Sequence, residues 1–453
     1  MELTVKLVYT DIEKYIDKKV ILKGFVKQNR FNGKIGFISF NDGTSFKPIQ
    51  IVYKSDELAN ADEVANFRTL SAIQVVGVIK ATPNAPQPFE LLAGEVILLK
   101  DNDESCPLQN KKQTVEFLRE IAHLRPRTNL FSAVMRARSE LAFAIHKFFH
   151  ELNYVWVATP LITSNDGEGA GETFFLTTNE KEEFFGEQVN LTVTGQLHGE
   201  AYAQAFRNIY TFGPTFRAEK SHTARHAAEF WMIEPELAFC NLEELMQLEE
   251  SMIKYVVKYY MDSCADEIKF LNDEIDNTLI DRMNQLINKP FIHMSYEEGI
   301  EKLAEAVKNG HKFEDTDIHF GMDLGSEHER YLCEVVCKSP VILYNYPKEI
   351  KSFYMLQNDD GKTVQGTDVL VPGIGELLGG SVRESNYDKL LTRCQELNMN
   401  LEPLNWYLNL RKYGYYSSAG FGLGFERLVM YLTGISNIRD AIPFPRTHGS
   451  INF

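Results

Sequence analysis

Through the first hundred residues the chain alternates apolar and polar positions with the period of two that a half-buried strand needs. The runs KVILKGFVKQN (19–29), KIGFISFNDG (34–43) and FKPIQIVYK (46–54) are punctuated by the turn signals Asn32-Gly33 and Asp42-Gly43. Two more runs follow, IQVVGVIK (73–80) and ELLAGEVILL (90–99), so five short strands predict a small β-barrel or sandwich. From about residue 130 the period lengthens: Leu130, Val134, Leu141, Ala144, Ile145 and Phe148 recur at near-helical intervals.

Strand-like runs return at 154–158, 190–194, 208–212 and 229–240. An amphipathic stretch at 242–260 then carries Leu242, Leu245, Met246, Met252, Ile253, Val256 and Val257. The apolar runs VILYNYP, FYMLQN and DVLVP come next, then a long helical stretch from 384, the strand YYSSAGFGLGF and a last helix from Glu426. There is no internal repeat. The pattern predicts an α+β chain in three parts: a barrel domain at 1–104, a linker or hinge at 105–128, and a domain at 129–453 with a large mixed sheet and helices on its faces, carrying a helical acidic insertion at about 241–330.

Composition narrows the class. With 453 residues, 44% of them hydrophobic and 24% charged, the chain is long enough for two or three domains and able to bury real cores. The 47 Lys plus Arg against 63 Asp plus Glu leave a net charge of −16, a poor first sign for a nucleic-acid binder. The charge is uneven, however: residues 1–50 hold nine basic and five acidic residues (+4), whereas 241–330 hold nine and twenty-one (−12). The acidic N-terminus MELTVKLVYTDIEKY lacks the basic start and apolar run of a signal peptide, and no apolar stretch is long enough for a membrane span, so a cytoplasmic location without membrane association is expected. Six sparse cysteines, at 106, 240, 264, 333, 337 and 394, lack zinc-site spacing and read as reduced thiols.

The chemistry concentrates in two places. No phosphate loop of the G-x-x-x-x-G-K-[ST] type exists, and Gly420-Phe-Gly422-Leu-Gly424 does not match the dinucleotide fingerprint; alone it reads as a tight strand-to-helix turn. Arg427, though, falls in the first turn of the following helix, where the macrodipole disfavours a cation, which points to an anionic ligand. Upstream, Phe216-Arg217-Ala-Glu219 leads into a polar stretch, and strands at 208–216 and 229–240 would flank a basic loop carrying Lys220, His222, Arg225 and His226. Glu234 and Glu236 then share one face of the second strand.

At these residues the chain resembles the class II aminoacyl-tRNA synthetases: FRAEKSHTARHAAEFWMIEPE looks like motif 2 and GFGLGFERLVMYLTG like motif 3. Motif 1 would be the helix 130–152 with the strand leading to Thr159-Pro160, and residues 17–54 resemble the OB-fold anticodon-binding domain of the aspartyl, asparaginyl and lysyl subgroup. The resemblance implies a five-stranded OB-fold barrel followed by a class II catalytic domain whose mixed, mainly antiparallel sheet is flanked by helices. It also implies a homodimer through motif 1, with ATP and Mg²⁺ serving adenylate formation. By similarity Arg217 would hold the α-phosphate and Arg427 the γ-phosphate, with Glu219, Arg225 and His226 contributing from motif 2. Phe230 would stack on adenine, with the motif 3 arginine beyond, and Asp368 and Glu376 would hold the metal.

For the amino acid, the resemblance assigns the α-amino group to Glu168, with Gln196 beside it, and the side-chain oxygen to Arg383. Aspartate enzymes carry a lysine three residues after that glutamine, where this chain has Gly199, and an aspartate where it has Glu234. One cation fewer and one longer carboxylate favour L-asparagine over aspartate, and so tRNA(Asn) as partner. On the barrel, Lys23, Lys27, Arg30, Lys34 and Lys47 interleave with Phe25, Phe37 and Phe40, at least one of which alternation assigns to the core. Arg30, Phe37 and Gln50 align with anticodon contacts. Two departures from the family pattern are Phe25 for a tryptophan and Asn153 for a glycine.

Overall fold

A computed structural model describes every residue except 86, 110, 166, 168–171 and 179–181. The chain forms two compact units, Met1–Ser132 and Ala133–Phe453.

In the first unit, strands β1 (Lys19–Phe31), β2 (Ile35–Asn41), β3 (Ile49–Lys54), β4 (Ala72–Ala81) and β5 (Phe89–Lys100) close into a barrel of order β1-β2-β3-β5-β4. Alternation fills its interior with Val20, Leu22, Val26, Ile38, Phe40, Ile51, Ile73, Val75 and Leu91, while Phe25 and Phe37 face outward. The expected turns form, Gly33 and Gly43 having φ of 88° and 83°, where a side chain would be strained. Asn32 Oδ1 accepts from the N–H groups of Lys34 and Ile35, at 3.0 and 2.8 Å. The stretch expected as a linker folds within this unit and packs Leu108 and Leu118 against Phe131.

The second unit is built on an eight-stranded sheet. Its strands are β6 (Val155–Trp156), β10 (Asn208–Phe216), β11 (Glu229–Ala238), β12 (Ile292–Ser295), β13 (Val341–Pro347), β14 (Thr363–Val371), β15 (Gly375–Arg383) and β16 (Ser418–Gly424), in the order β12-β13-β14-β15-β16-β11-β10-β6. Only the outer pairs β12/β13 and β10/β6 are parallel. A small sheet of β7 (Ile162–Thr163), β9 (Val189–Leu191) and β8 (Phe175–Leu176) stands apart.

The acidic stretch 241–330 is helical but is no appendage. Its helix Leu242–Ser263, started by a capping box between Asn241 and Glu244, buries Leu245, Met252, Ile253, Val256 and Val257, and the stretch also supplies edge strand β12. Amphipathicity accounts for both readings, because most of its acids line the solvent face of helices whose other face is core, Glu249, Glu267 and Glu329 being buried. The later part of the chain differs in detail. The helix from 384 is two helices, Tyr387–Glu396 and Asn405–Leu410, interrupted around Asn398, whose φ is 53°, and FYMLQN makes only isolated bridges, from Met355 to Arg383 and from Gln357 to Val364. Asn153 has φ of 61°, a left-handed conformation that glycine adopts freely and asparagine tolerates best among the others, which explains that departure.

Candidate active site

The nucleotide side is assembled by the β10–β11 hairpin and the start of the helix Phe425–Thr433. Register pairs Phe216 with Glu229 and Thr215 with Phe230, and the Arg217 N–H donates to Ala228 O at 3.0 Å, so the ladder runs one step past the strands. This fixes Arg217 at the hairpin mouth, its guanidinium carbon 5.4 Å from the centroid of the Phe230 ring. In the loop, Arg225 Nη1 donates to Ser326 Oγ at 3.0 Å, and His226 Nε2 lies 3.4 Å from Glu219. Arg427 reaches Glu376, its Nη1 3.6 Å from the carboxylate and 3.3 Å from the backbone oxygen. Seven residues singled out in the sequence, Arg217, Glu219, Arg225, His226, Phe230, Glu376 and Arg427, line one cavity of about 240 Å³.

Of the glycines 420, 422 and 424, only the last stands at the strand-to-helix junction. All three lie in β16, with Gly424 the N-cap of the helix that follows, and at the first two the meaning is close approach: a Cβ at Gly420 would stand 2.3 Å from Pro235 O and 2.6 Å from the Glu236 carboxyl carbon, and one at Gly422 2.9 Å from Met232 Cε. The helix start is tied down by Glu426, whose buried carboxylate accepts from Trp231 N–H at 2.9 Å and pairs with Arg138 at 2.7 Å.

Asp368 on β14 and Glu376 on β15 converge. Asp368 pairs in register with Gly379, and carboxylate oxygens of Asp368 and Glu376 lie 2.9 and 3.5 Å from where a Cβ of Gly379 would sit. Glycine therefore leaves a cradle between two carboxylates that any other residue would fill. Lys351 Nζ donates to Asp368 at 2.6 Å, and Glu329 accepts from Glu376 N–H at 2.9 Å. Burial and the charge of Glu376 push the Asp368 carboxyl up to about 6, against the pull of Lys351. Hard oxygen donors with room between them fit Mg²⁺. Among the described residues no group of three or more His, Cys, Asp and Glu forms a metal cage on its own, so the remaining ligands would be phosphate or water.

On the amino-acid side, Glu234 on β11 is nearly saturated. Its carboxylate accepts from Gly195 N–H at 2.8 Å, from Thr211 Oγ at 3.0 Å and from Thr194 Oγ. Arg383 is 3% exposed and gives Nε and Nη2 to Glu236, at 3.1 and 2.5 Å, and Nη1 to Ser381 at 2.7 Å. Burial works against its charge, but Glu236 and Glu200 more than compensate, so it stays a cation. Gln196 Nε2 donates to Glu200 at 3.1 Å, and Glu200 stands 3.8 Å from Arg383 Nε. Gln196 and Arg383 are thus joined through a residue the sequence reading passed over. Its position four after Gln196 on one helix was the available signal. Glu168 lies outside the described residues.

In the first unit, Arg30 and Phe37 are register partners on the outer face of β1 and β2, and Gln50 pairs with Ser39 beside them. Of the three phenylalanines, Phe40 is core, while Phe25 and Phe37 are 43% and 39% exposed. The Arg127 guanidinium lies 5.9 Å from the Phe25 centroid. Cationic and aromatic side chains therefore share an outward surface, the combination that splayed bases and phosphates require. Among the described residues, no helix is long and apolar enough to cross a membrane.

A family model described as tRNA synthetases class II (D, K and N) matches residues 114–448. The chain is 54% identical, over all of both chains, to an asparagine–tRNA ligase of Ureaplasma urealyticum serovar 10. Its structure is similar to that of an asparaginyl-tRNA synthetase from Pyrococcus horikoshii complexed with asparaginyl-adenylate, with a TM-score of 0.86, 31% identity and 96% of each chain covered. It is also similar to an Entamoeba histolytica asparaginyl-tRNA synthetase in complex with asparaginyl-adenylate, with a TM-score of 0.83, 26% identity and 96% coverage of each chain.

Proposed function

The chain belongs to the class II tRNA synthetases of the D, K and N group, and from that premise we infer that it ligates L-asparagine to tRNA(Asn), using ATP and passing through an asparaginyl-adenylate. AMP and diphosphate are released. The observation that carries the reading is one cavity lined by three arginines, a histidine, three acids and Phe230, next to an amino-acid side in which an arginine and a glutamate are held rigid.

The chemistry needs no strong protein base. The asparagine carboxylate is already a nucleophile; it attacks the α-phosphorus, diphosphate leaves, and a terminal ribose hydroxyl of the tRNA then takes the aminoacyl group. The protein's part is positioning and stabilising negative charge as it develops. Arg217 serves the α-phosphate and Arg427 the γ-phosphate, with Arg225 and His226 at the rim. Guanidinium suits these places because it stays charged and binds phosphate oxygens through two N–H groups. Phe230 is the adenine platform, and its neighbour Arg217 is the cation the ring steadies. Asp368 and Glu376 would hold Mg²⁺, whose charge, when it is bound, neutralises phosphate oxygens.

Glu168 and Gln196 receive the α-amino group, Arg383 the side-chain oxygen and Glu234 the side-chain NH₂. Three of the hydrogen bonds available to the Glu234 carboxylate are occupied by protein donors, which leaves it room for one more. A substrate amide can donate that bond, whereas a substrate carboxylate cannot. The tRNA(Asn) anticodon meets Arg30, Phe37 and Gln50, the functional unit is a homodimer through the helix Asn129–Glu151, and the setting is cytoplasmic.

Diphosphate exchange into ATP, run with asparagine and with aspartate, tests the assignment. Exchange with asparagine alone is expected, and exchange with aspartate alone would overturn it. Gly199→Lys should damage asparagine use more than ATP binding, since a side chain at 199 starts 3.4 Å from Glu236 Cγ.

A further inference from the structure

Beneath the amino-acid side lies a buried ionic cluster that the chemistry above does not use. Glu200, wholly buried on the helix Gln196–Phe206, accepts from Tyr407 Oη at 2.7 Å, Arg411 Nη2 at 2.8 Å, Tyr415 Oη at 2.9 Å and Gln196 Nε2 at 3.1 Å. Arg411 is held between the Tyr407 and Tyr415 rings, 4.0 and 4.2 Å from their centroids, and gives Nε to Glu384 O at 3.0 Å. Arg383 Nε stands 3.8 Å from the Glu200 carboxylate.

Burial on its own would raise the Glu200 carboxyl, but Arg411 and Arg383 hold it below its usual range, so it is an anion. A buried arginine without a carboxylate is costly, and Glu200 is the carboxylate that Arg411 meets. Deleting that negative charge would leave the floor of the amino-acid side one unit more positive, an environment that suits a substrate carboxylate rather than an amide. Glu200 also engages Gln196 Nε2, which leaves the glutamine oxygen, an acceptor, as the end not bound to it.

We propose that Glu200 is a positioning residue that sets amino-acid specificity, its carboxylate cancelling Arg411 and orienting Gln196 and Arg383 so that the pocket takes a neutral amide and turns away a carboxylate. The proposal rests on the reading of the chain as an asparagine enzyme.

The test uses the full chain and diphosphate exchange with asparagine and aspartate in parallel, comparing wild type, Glu200→Gln and the double variant Glu200→Gln/Arg411→Gln. Glu200→Gln is expected to lower the asparagine-to-aspartate ratio of kcat/KM by about tenfold or more with the KM for ATP little changed, and the double variant to recover part of that ratio because both charges leave together. An equal fall for both amino acids, or a double variant whose ratio is no better than that of Glu200→Gln, overturns the proposal. Should Glu200→Gln not fold, Tyr415→Phe removes one donor to Glu200 without changing charge; a ratio lowered by about two- to threefold supports the proposal, and an unchanged ratio overturns it. Failure of the wild type to exchange with asparagine would instead overturn the underlying reading.

Discussion

The two ends of the substrate site handle their arginines in opposite ways. On the amino-acid side Arg383 and Arg411 are buried, their guanidinium groups engaged by Glu236, Glu200, Ser381 and Glu384. On the nucleotide side Arg225 and Arg427 are exposed, the Arg427 side chain 44% so, and each leans on a partner at 3 Å or more. Under the proposed function the difference follows from the two tasks. Telling an amide from a carboxylate of the same shape requires polar groups that cannot relax, whereas gripping a triphosphate requires cations that can still turn towards it. Buried acids repeat the lesson: Glu200 has two arginines and is an anion, while Glu249 has only Thr367 as a described hydrogen-bond partner, at 2.6 Å, and burial raises its carboxyl to about 8.

The sharpest way to break this contrast is Arg383→Met. It strands Glu236 in the interior and takes one of two arginines from Glu200, so chemical denaturation should show a loss of about 3–5 kcal/mol, along with loss of asparagine-dependent exchange. A variant that is inactive yet as stable as wild type would mean that the burial of Arg383 carries no structural weight. Arg427→Ala should do the reverse, lowering kcat by about 100- to 1000-fold while the melting temperature stays within a few degrees. Comparable losses of stability in both variants would erase the distinction between the two sides.

The contrast between the two acids predicts a pH dependence. The Glu249 carboxyl is raised to about 8 in the fold from 4.5, so the native state binds the extra proton and its contribution is fully present below about pH 4.5. That contribution is lost progressively as pH rises from about 4.5 through about 8, by up to about 5 kcal/mol. Glu249→Gln should flatten the decline in denaturation curves between pH 5 and 8, and an unaltered slope would show that Glu249 is not its source. The smallest effect is expected for Phe230→Leu, which keeps an apolar side chain but loses the ring. The KM for ATP should rise about two- to tenfold, with the asparagine-to-aspartate ratio unmoved. A change in that ratio would mean that the two ends of the site are coupled.

Much of the architecture was legible because it depends on local rules. Period-two alternation marks the barrel strands and Asn-Gly and Asp-Gly mark their turns, while motifs 2 and 3 carry most of the residues that line the nucleotide cavity, Glu376, Leu377 and Ile438 being the exceptions. What escaped was of another kind. Glu200 and Arg411 are 211 residues apart in the chain, and Glu236 meets Arg383 across 147. Nor does spacing reveal that Pro235 and Glu236 occupy the space a side chain at Gly420 would need, and Met232 that at Gly422.

By itself, the sequence determined the strands, the helices, the family motifs and hence the types of group available to the reaction, because propensity, periodicity and short motifs act over a few residues. Only the tertiary structure decided which charges are buried and which are left open. Burial and pairing arise where β11, β15, the helix Gln196–Phe206 and the segment around Arg411 meet, and no local pattern encodes the dielectric environment in which a carboxylate or a guanidinium comes to rest.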